Sequence, residues 1–182
     1  MAGQYCSFKE IIDEFIMENK IKGLIADLSS DNGIVRQKAR YDLISIGRPA
    51  IEFLKGLQYL PNEHLRWETI KTLSQIAHQD SIPVLINALE NDHFDIRWLA
   101  AEGLIEIGKK SIKPIMEAII SNQDSIYLRE GVHHVLKGLQ AKKIFVDKQK
   151  IIQQLENPNA ESTLAFTASR ILEKLHVRKS GI

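Results

Sequence analysis

The sequence predicts an all-α protein: a right-handed α-solenoid of about five helical hairpins behind one N-terminal helix. Three observations carry this expectation. The chain repeats itself, with Arg36, Arg66, Arg97 and Arg129 spaced 30, 31 and 32 residues apart. Within each copy, apolar residues fall at positions 0, 4, 8 and 11, as in Val35, Ala39, Leu43, Ile46 and in Ile96, Ala100, Leu104, Ile107. That spacing is one face of an α-helix. No stretch alternates polar and apolar residues for long, so strands are not expected. A short hairpin cannot bury its own apolar stripe and is stable only against its neighbours, which gives a stack.

The elements follow in order. Residues 7–22 read as an N-terminal helix with the stripe Phe8, Ile11, Ile12, Phe15, Ile16. Ser7 suits its N-cap and Glu10 the reciprocal capping position. This stripe is expected to cover the open end of the first hairpin. The hairpins are placed at about 23–47, 48–78, 79–109, 110–140 and 144–176, with 177–182 as a tail. Pro49, Pro83 and Pro114 fall near the starts of first helices, where a missing N–H costs little. Gly47 and Gly108 follow second helices, where a positive φ can end them. Asp31, Asp92 and Asp124 precede second helices and are expected to cap them. The fifth second helix starts at Leu164 and runs through Ala168, Leu172 and Leu175. It has Ala165 where the others have arginine. The whole is read as one domain.

Composition narrows the function classes. The 182 residues carry 24 Lys+Arg against 23 Asp+Glu, a net charge of +1, and 44% are hydrophobic. This balance disfavours a uniformly basic nucleic-acid binder and a disordered chain. No apolar run nears the roughly 20 residues needed to span a bilayer. The start of the chain lacks a basic stretch followed by an apolar one, so no secretion signal is expected, and one cysteine, Cys6, cannot form an internal disulfide. A soluble, cytoplasmic protein is expected. The charge is uneven: residues 137–182 hold nine Lys/Arg against four Asp/Glu, a net of +5, leaving −4 for residues 1–136. The stretch 141–148, Ala-Lys-Lys-Ile-Phe-Val-Asp-Lys, breaks the repeat period and reads first as a solvated loop.

The segment Asp92–Gly108, Asp-x-x-x-Ile-Arg-x-x-Ala-x-x-x-Leu-x-x-Ile-Gly, resembles a HEAT repeat. More narrowly, the chain resembles the short HEAT-like repeats of the phycobilisome-lyase type, over roughly Gly23 to Leu175. The resemblance implies stacked hairpins whose second helices line a concave surface. It implies no single function, since such repeats build scaffolds, adaptors, regulators and chromophore-lyase subunits. It also implies a structural ladder of repeat aspartates and arginines: Asp31 with Arg36, Asp92 with Arg97, and Asp124 with Arg129. Arg66 is preceded by Pro61-Asn62 instead, so its rung lacks the acid.

On the implied concave surface the residues after the arginines, and those four further on, are Gln37, Trp67, Trp98, Glu130, Phe166 and Tyr41, Lys71, Glu102, His134, Arg170. The expected partner-binding set is Tyr41, Trp67, Lys71, Trp98, Leu99, Glu102 and His134, because exposed aromatics beside charges form interface hot spots. Both tryptophans could instead pack across the seams between hairpins. None of the six histidines has metal-ligand spacing, and the rings of adjacent His133 and His134 point about 100° apart. The loop Asn91–Asp95 lacks the glycine and distal glutamate of a calcium site. No metal and no cofactor are expected. Nor does any nucleophile or phosphate-loop motif occur. The reading is a non-enzymatic scaffold or adaptor that binds a protein partner. One alternative is a lyase-type accessory subunit holding a bilin or other planar ligand. The other is nucleic-acid binding like the HEAT-like DNA-alkylation glycosylases, to which no motif is close.

Overall fold

The computed structural model describes residues 8–122, 124–147, 150–157 and 161–177. Ser7, Cys6 and the tail from Arg178 lie outside the described residues. Among the described residues ten helices follow one another: α1 (Phe8–Leu28), α2 (Gly33–Ile46), α3 (Arg48–Leu54), α4 (Glu63–Ile76), α5 (Ile82–Ala88), α6 (Phe94–Ile107), α7 (Lys109–Ser121), α8 (Ile126–Ala141), α9 (Ile151–Leu155) and α10 (Glu161–Val177). Short 3₁₀ turns at Lys55–Tyr59 and Gln79–Ser81 follow α3 and precede α5. No strand occurs among the described residues. The protein is an α-solenoid.

The second helices form one layer, with α4 packed between α2 and α6, and α6 between α4 and α8. Their common repeat position holds Leu43, Leu73, Leu104 and Leu136, all fully buried. Four residues earlier the side chains are small or β-branched: Ala39, Thr69, Ala100 and Val132, also buried. Small residues there let helix axes approach, while the leucines fill the space between layers. Three glycines mark the tightest approaches. A Cβ on Gly103 would lie 2.6 Å from Ser74 Cβ, one on Gly138 2.5 Å from Ile105 Cδ1, and one on Gly131 2.9 Å from Leu89 Cδ2.

Helix ends explain the sharp turns. Gly47 (φ +71°) and Gly108 (φ +75°) close α2 and α6, their N–H groups donating to Leu43 and Leu104 carbonyls. Ala77 does the same for α4 in the left-handed region, at φ 49°. The caps at the other ends differ from expectation. Asn32, Asn62 and Ser125 accept from Ile34, Leu65 and Leu128 N–H. Asp31 and Asp124 stand one residue too early to do so. His93 occupies the cap position of α6 without a side-chain bond. Pro49 and Pro83 sit in the first turns of α3 and α5. Pro114 instead lies inside α7, because that helix already begins at Lys109.

Both ends depart from the sequence reading. The N-terminal helix does not stop at residue 22. It runs through Gly23 to Leu28, since one glycine in a helix costs only about 1 kcal/mol and nothing else there breaks it. Only its second half packs, through Ile21, Leu24, Ile25 and Leu28. The stripe Phe8, Ile11, Ile12, Phe15, Ile16 is exposed, with Phe8 at 80%, and covers nothing. At the other end the layers exchange places: α9 lies against α8, and α10 lies against α7. The link over 142–150 is longer than those at Gly47, at 77–81 and at Gly108. It is not merely a solvated loop. Phe145 is buried, and the N–H groups of Ile144 and Phe145 both donate to the Leu139 carbonyl. Asp147 then caps α9, accepting from Ile151 and Ile152 N–H at 2.7 and 3.1 Å.

Candidate functional site

The face of α2, α4, α6 and α8 carries all seven expected partner-binding residues, distributed over three adjoining grooves. The largest, about 550 Å³, lies between α2, α4 and α6 and is lined by Tyr41, Lys71, Leu99 and Glu102, with Ile44 and Glu106 among the rest. A second holds Trp67 beside Arg36, Glu63, His64, Glu68 and His93. A third, between α6 and α8, holds Trp98 and His134 with Phe94, Arg97 and Glu130. Phe166 and Arg170 leave this face altogether, because α10 has crossed to the other layer.

The two tryptophans answer differently to the choice between binding and packing. Trp67 is half-buried and packs on the core, with the Lys71 ammonium 4.1 Å from its ring centroid. Trp98 is 47% exposed. Its ring lies 4.4 Å from the His134 ring and 6.2 Å from Phe94, centroid to centroid. His134 Nε2 is 2.8 Å from Glu102 Oε1, and a carboxylate can only accept, so the ring nitrogen donates. Glu102 thus fixes His134, and His134 fixes Trp98. Leu99, expected to be free, also packs partly on the core, while Tyr41 is exposed.

The arginine column works through main-chain oxygens. Arg36 Nη1 donates to the carbonyls of Ser30 and Asp31 at 2.7 and 3.1 Å, and Arg97 Nη1 to those of Asn91 and Asp92 at 2.8 and 3.1 Å. Arg66 donates to the Leu60 carbonyl. Each arginine therefore ties down the loop before its own helix, and the Asp31 and Asp92 carbonyls serve, not their carboxylates. Arg129 reaches forward to the Asn157 carbonyl, and Asp124 stays exposed. Arg97 also stacks on Tyr127, 4.2 Å from the ring centroid.

One cluster escaped the sequence reading. Arg40 and Glu68 are both buried and joined by a short hydrogen bond through Arg40 Nη1, while Arg36 Nε stands 3.5 Å from the other Glu68 oxygen. In register, Arg40 corresponds to Ile70, Ala101 and His133, and Glu68 to Lys38, Leu99 and Gly131. Polar residues stand at both positions in other repeats, so register alone does not single out the buried pair. The Lys71 ammonium nearby has its pKa lowered, first by burial and then by the Arg40 charge, with Glu68 partly opposing. At the C-terminal end, the hydrogen bond from His133 holds the Glu156 carboxyl below its ordinary range, with Lys137 adding to it. No group of three or more possible metal ligands comes together among the described residues, and no described helix is long and apolar enough to cross a membrane.

Comparison with known proteins meets this geometry at the level of fold. The family model described as HEAT repeats matches residues 21–104 and 52–137. Among curated proteins, none matches the sequence. Among solved structures, the complex of CpcE and CpcF of phycocyanin lyase from Nostoc sp. PCC7120 is similar. Identity is 22% and the TM-score 0.57, over 83% of this chain and 98% of that one.

Proposed function

The chain belongs to the HEAT-repeat family, and from that premise we propose that it is a non-enzymatic scaffold that binds a protein partner along its second-helix face. The observation that carries this reading is Trp98. It is a large aromatic ring left half in solvent, yet held in place by His134 and Glu102. A side chain already ordered before binding loses little entropy on contact, which is what an interface anchor requires. Tyr41 adds a second exposed aromatic on the same face. The similar solved structure is itself a complex of two named subunits, which supports a partner-binding use of such a stack. The test is capture from the native cell with wild type and a Trp98→Ala/Tyr41→Ala double variant. Loss of the wild-type partner by a folded double variant is expected. Undiminished capture rejects the surface. Trp67 is left intact, since its ring packs on the core.

A second reading is an accessory subunit for a bilin or similar planar ligand. It is favoured by the likeness to a phycocyanin lyase complex and by the Phe94, Trp98 and His134 rings lining one groove. Absorbance titration with a tetrapyrrole panel separates the two, and a spectral shift lost in Trp98→Ala would favour the ligand.

A further inference from the structure

Charges on the second-helix face can be paired off one by one. Glu102 is bonded to His134, Glu106 to Lys142 at 2.6 Å, and Glu68 to Arg36 and Arg40. Both carboxylates that line the large groove therefore already have a hydrogen-bond partner. Lys71, in the same groove, has no carboxylate within ion-pair distance among the described residues; its ammonium rests on the Trp67 ring. Behind it, Arg40 is 5% exposed and its buried Nε has no acceptor. Three cations, Arg36, Arg40 and Lys71, thus stand around the carboxylate of Glu68, which pairs with the two arginines alone. Unpaired charge at a partly desolvated site is costly and favours an arriving counter-charge. The Lys71 pKa is lowered by burial first and by the Arg40 charge second.

We propose that the groove between α2, α4 and α6 receives one carboxylate of the partner, an Asp or Glu beside an apolar residue, with Lys71 as its pairing cation. This deepens the partner-binding reading above and rests on it. Arg40 contributes through its field and does not touch the ligand. Ile44 and Leu99, in the same lining, seat the apolar neighbour. The size of the receptor follows from its surroundings. Glu102 and Glu106 stand in this groove, and Glu63 and Asp95 in the next. A continuous polyanion such as a nucleic-acid backbone would meet these acids within a few phosphates. A single carboxylate at Lys71 meets only the two, Glu102 and Glu106, that already hold partners.

The test uses the full chain and three capped peptides that differ at one position: Gly-Ser-Leu-Glu-Ser-Gly, its Gln form and its Lys form. Binding is followed by chemical-shift change at Lys71 and the Trp67 indole at low ionic strength. The Glu peptide is expected to bind about fivefold more tightly than the Gln form, the scale of one half-exposed ion pair. Lys71→Gln should erase that preference and Lys71→Arg should keep it. Equal binding of Glu and Gln peptides, or no binding of any at millimolar concentration, overturns the proposal. So does a preference surviving in Lys71→Gln, or a 12-nucleotide single strand that outcompetes the Glu peptide. A native partner captured through Trp98 but indifferent to Lys71→Gln would sink the acidic specificity alone. Capture indifferent to Trp98 and Tyr41 would sink the surface itself.

Discussion

The middle of the stack and its two ends obey the same helical pattern and use it differently. In α4, α6 and α8, each apolar stripe is enclosed by neighbours, and glycine appears where a Cβ would strike Ser74, Leu89 or Ile105. In the first half of α1 an equally regular stripe stands largely exposed among the described residues, and further along the helix a Cβ placed on Gly23 meets no described atom beyond its own stretch of helix within 4 Å. Periodicity specifies which face of a helix is apolar. It does not specify what covers that face, which is decided by whether another hairpin follows.

The largest expected effect lies in the middle. Glu68→Ala removes the carboxylate that Arg36 and Arg40 share and leaves the buried Arg40 unpaired. A loss of about 3–5 kcal/mol in denaturant unfolding is expected. Arg40→Leu/Glu68→Leu should recover most of it, because the cost comes from the stranded charge and not from the lost contact. A Glu68→Ala variant within 1 kcal/mol of wild type would show that this middle is wet and tolerant, like the ends.

Next comes Gly103→Ala. Its methyl would sit 2.7 Å from Ser74 Cα, a backbone atom that cannot swing aside. Overpacking of this kind costs about 1–3 kcal/mol. The same substitution at Gly23, in open space within α1, should instead raise stability by about 0.5–1 kcal/mol, from helix propensity alone. Opposite signs for one substitution at two sites, read by the same unfolding curve, make the comparison sharp. Equal signs break it.

The layered helices were legible because their signal is repeated: Leu43, Leu73, Leu104 and Leu136 report one position four times. The turns at Gly47 and Gly108 were legible because positive φ selects glycine. What was not legible had a single instance or two equal solutions. The exchange of α9 and α10 between layers depends on a link with no repeat to align, and α10 keeps the apolar spacing of a second helix while packing as a first. Asn32 and Ser125 displaced the neighbouring aspartates as caps by one residue, within the tolerance of any such reading. In the site, the residue set Tyr41, Lys71, Leu99, Glu102 was readable from register. The Arg40–Glu68 pair was not readable from register, because His133 and Lys38 are polar at the same two positions and neither is buried. The split between Trp67 and Trp98 needed side-chain geometry, since both occupy the same position.

The C-terminal end offers a pH-dependent probe. Glu156 is depressed by His133, so its favourable contribution is complete above the ordinary carboxylate pKa. It fades as pH falls through the lower, folded-state value. The protection of α9 amides, measured against the intrinsic exchange rate at each pH, should therefore fall on acidification while that of α6 holds. His133→Ala should remove the difference between pH 6 and the acid limb in α9 and leave α6 unchanged.

The smallest effect belongs to the other end. Phe15 is a large aromatic in a regular helical stripe, the kind of residue whose truncation in a core costs about 3–5 kcal/mol. Here it stands 64% exposed, four residues from exposed Ile11 and one from exposed Ile16. With no packed surface to lose, Phe15→Ser in the isolated chain should change unfolding free energy by no more than about 0.5 kcal/mol. Only the small helix propensity of serine acts on it. The comparison position is Leu73, which is fully buried in α4, and Leu73→Ala should cost about 2–5 kcal/mol. A large loss at Phe15 would mean that the arm packs on something in the folded chain, and the contrast between the enclosed middle and the open end would not hold for α1.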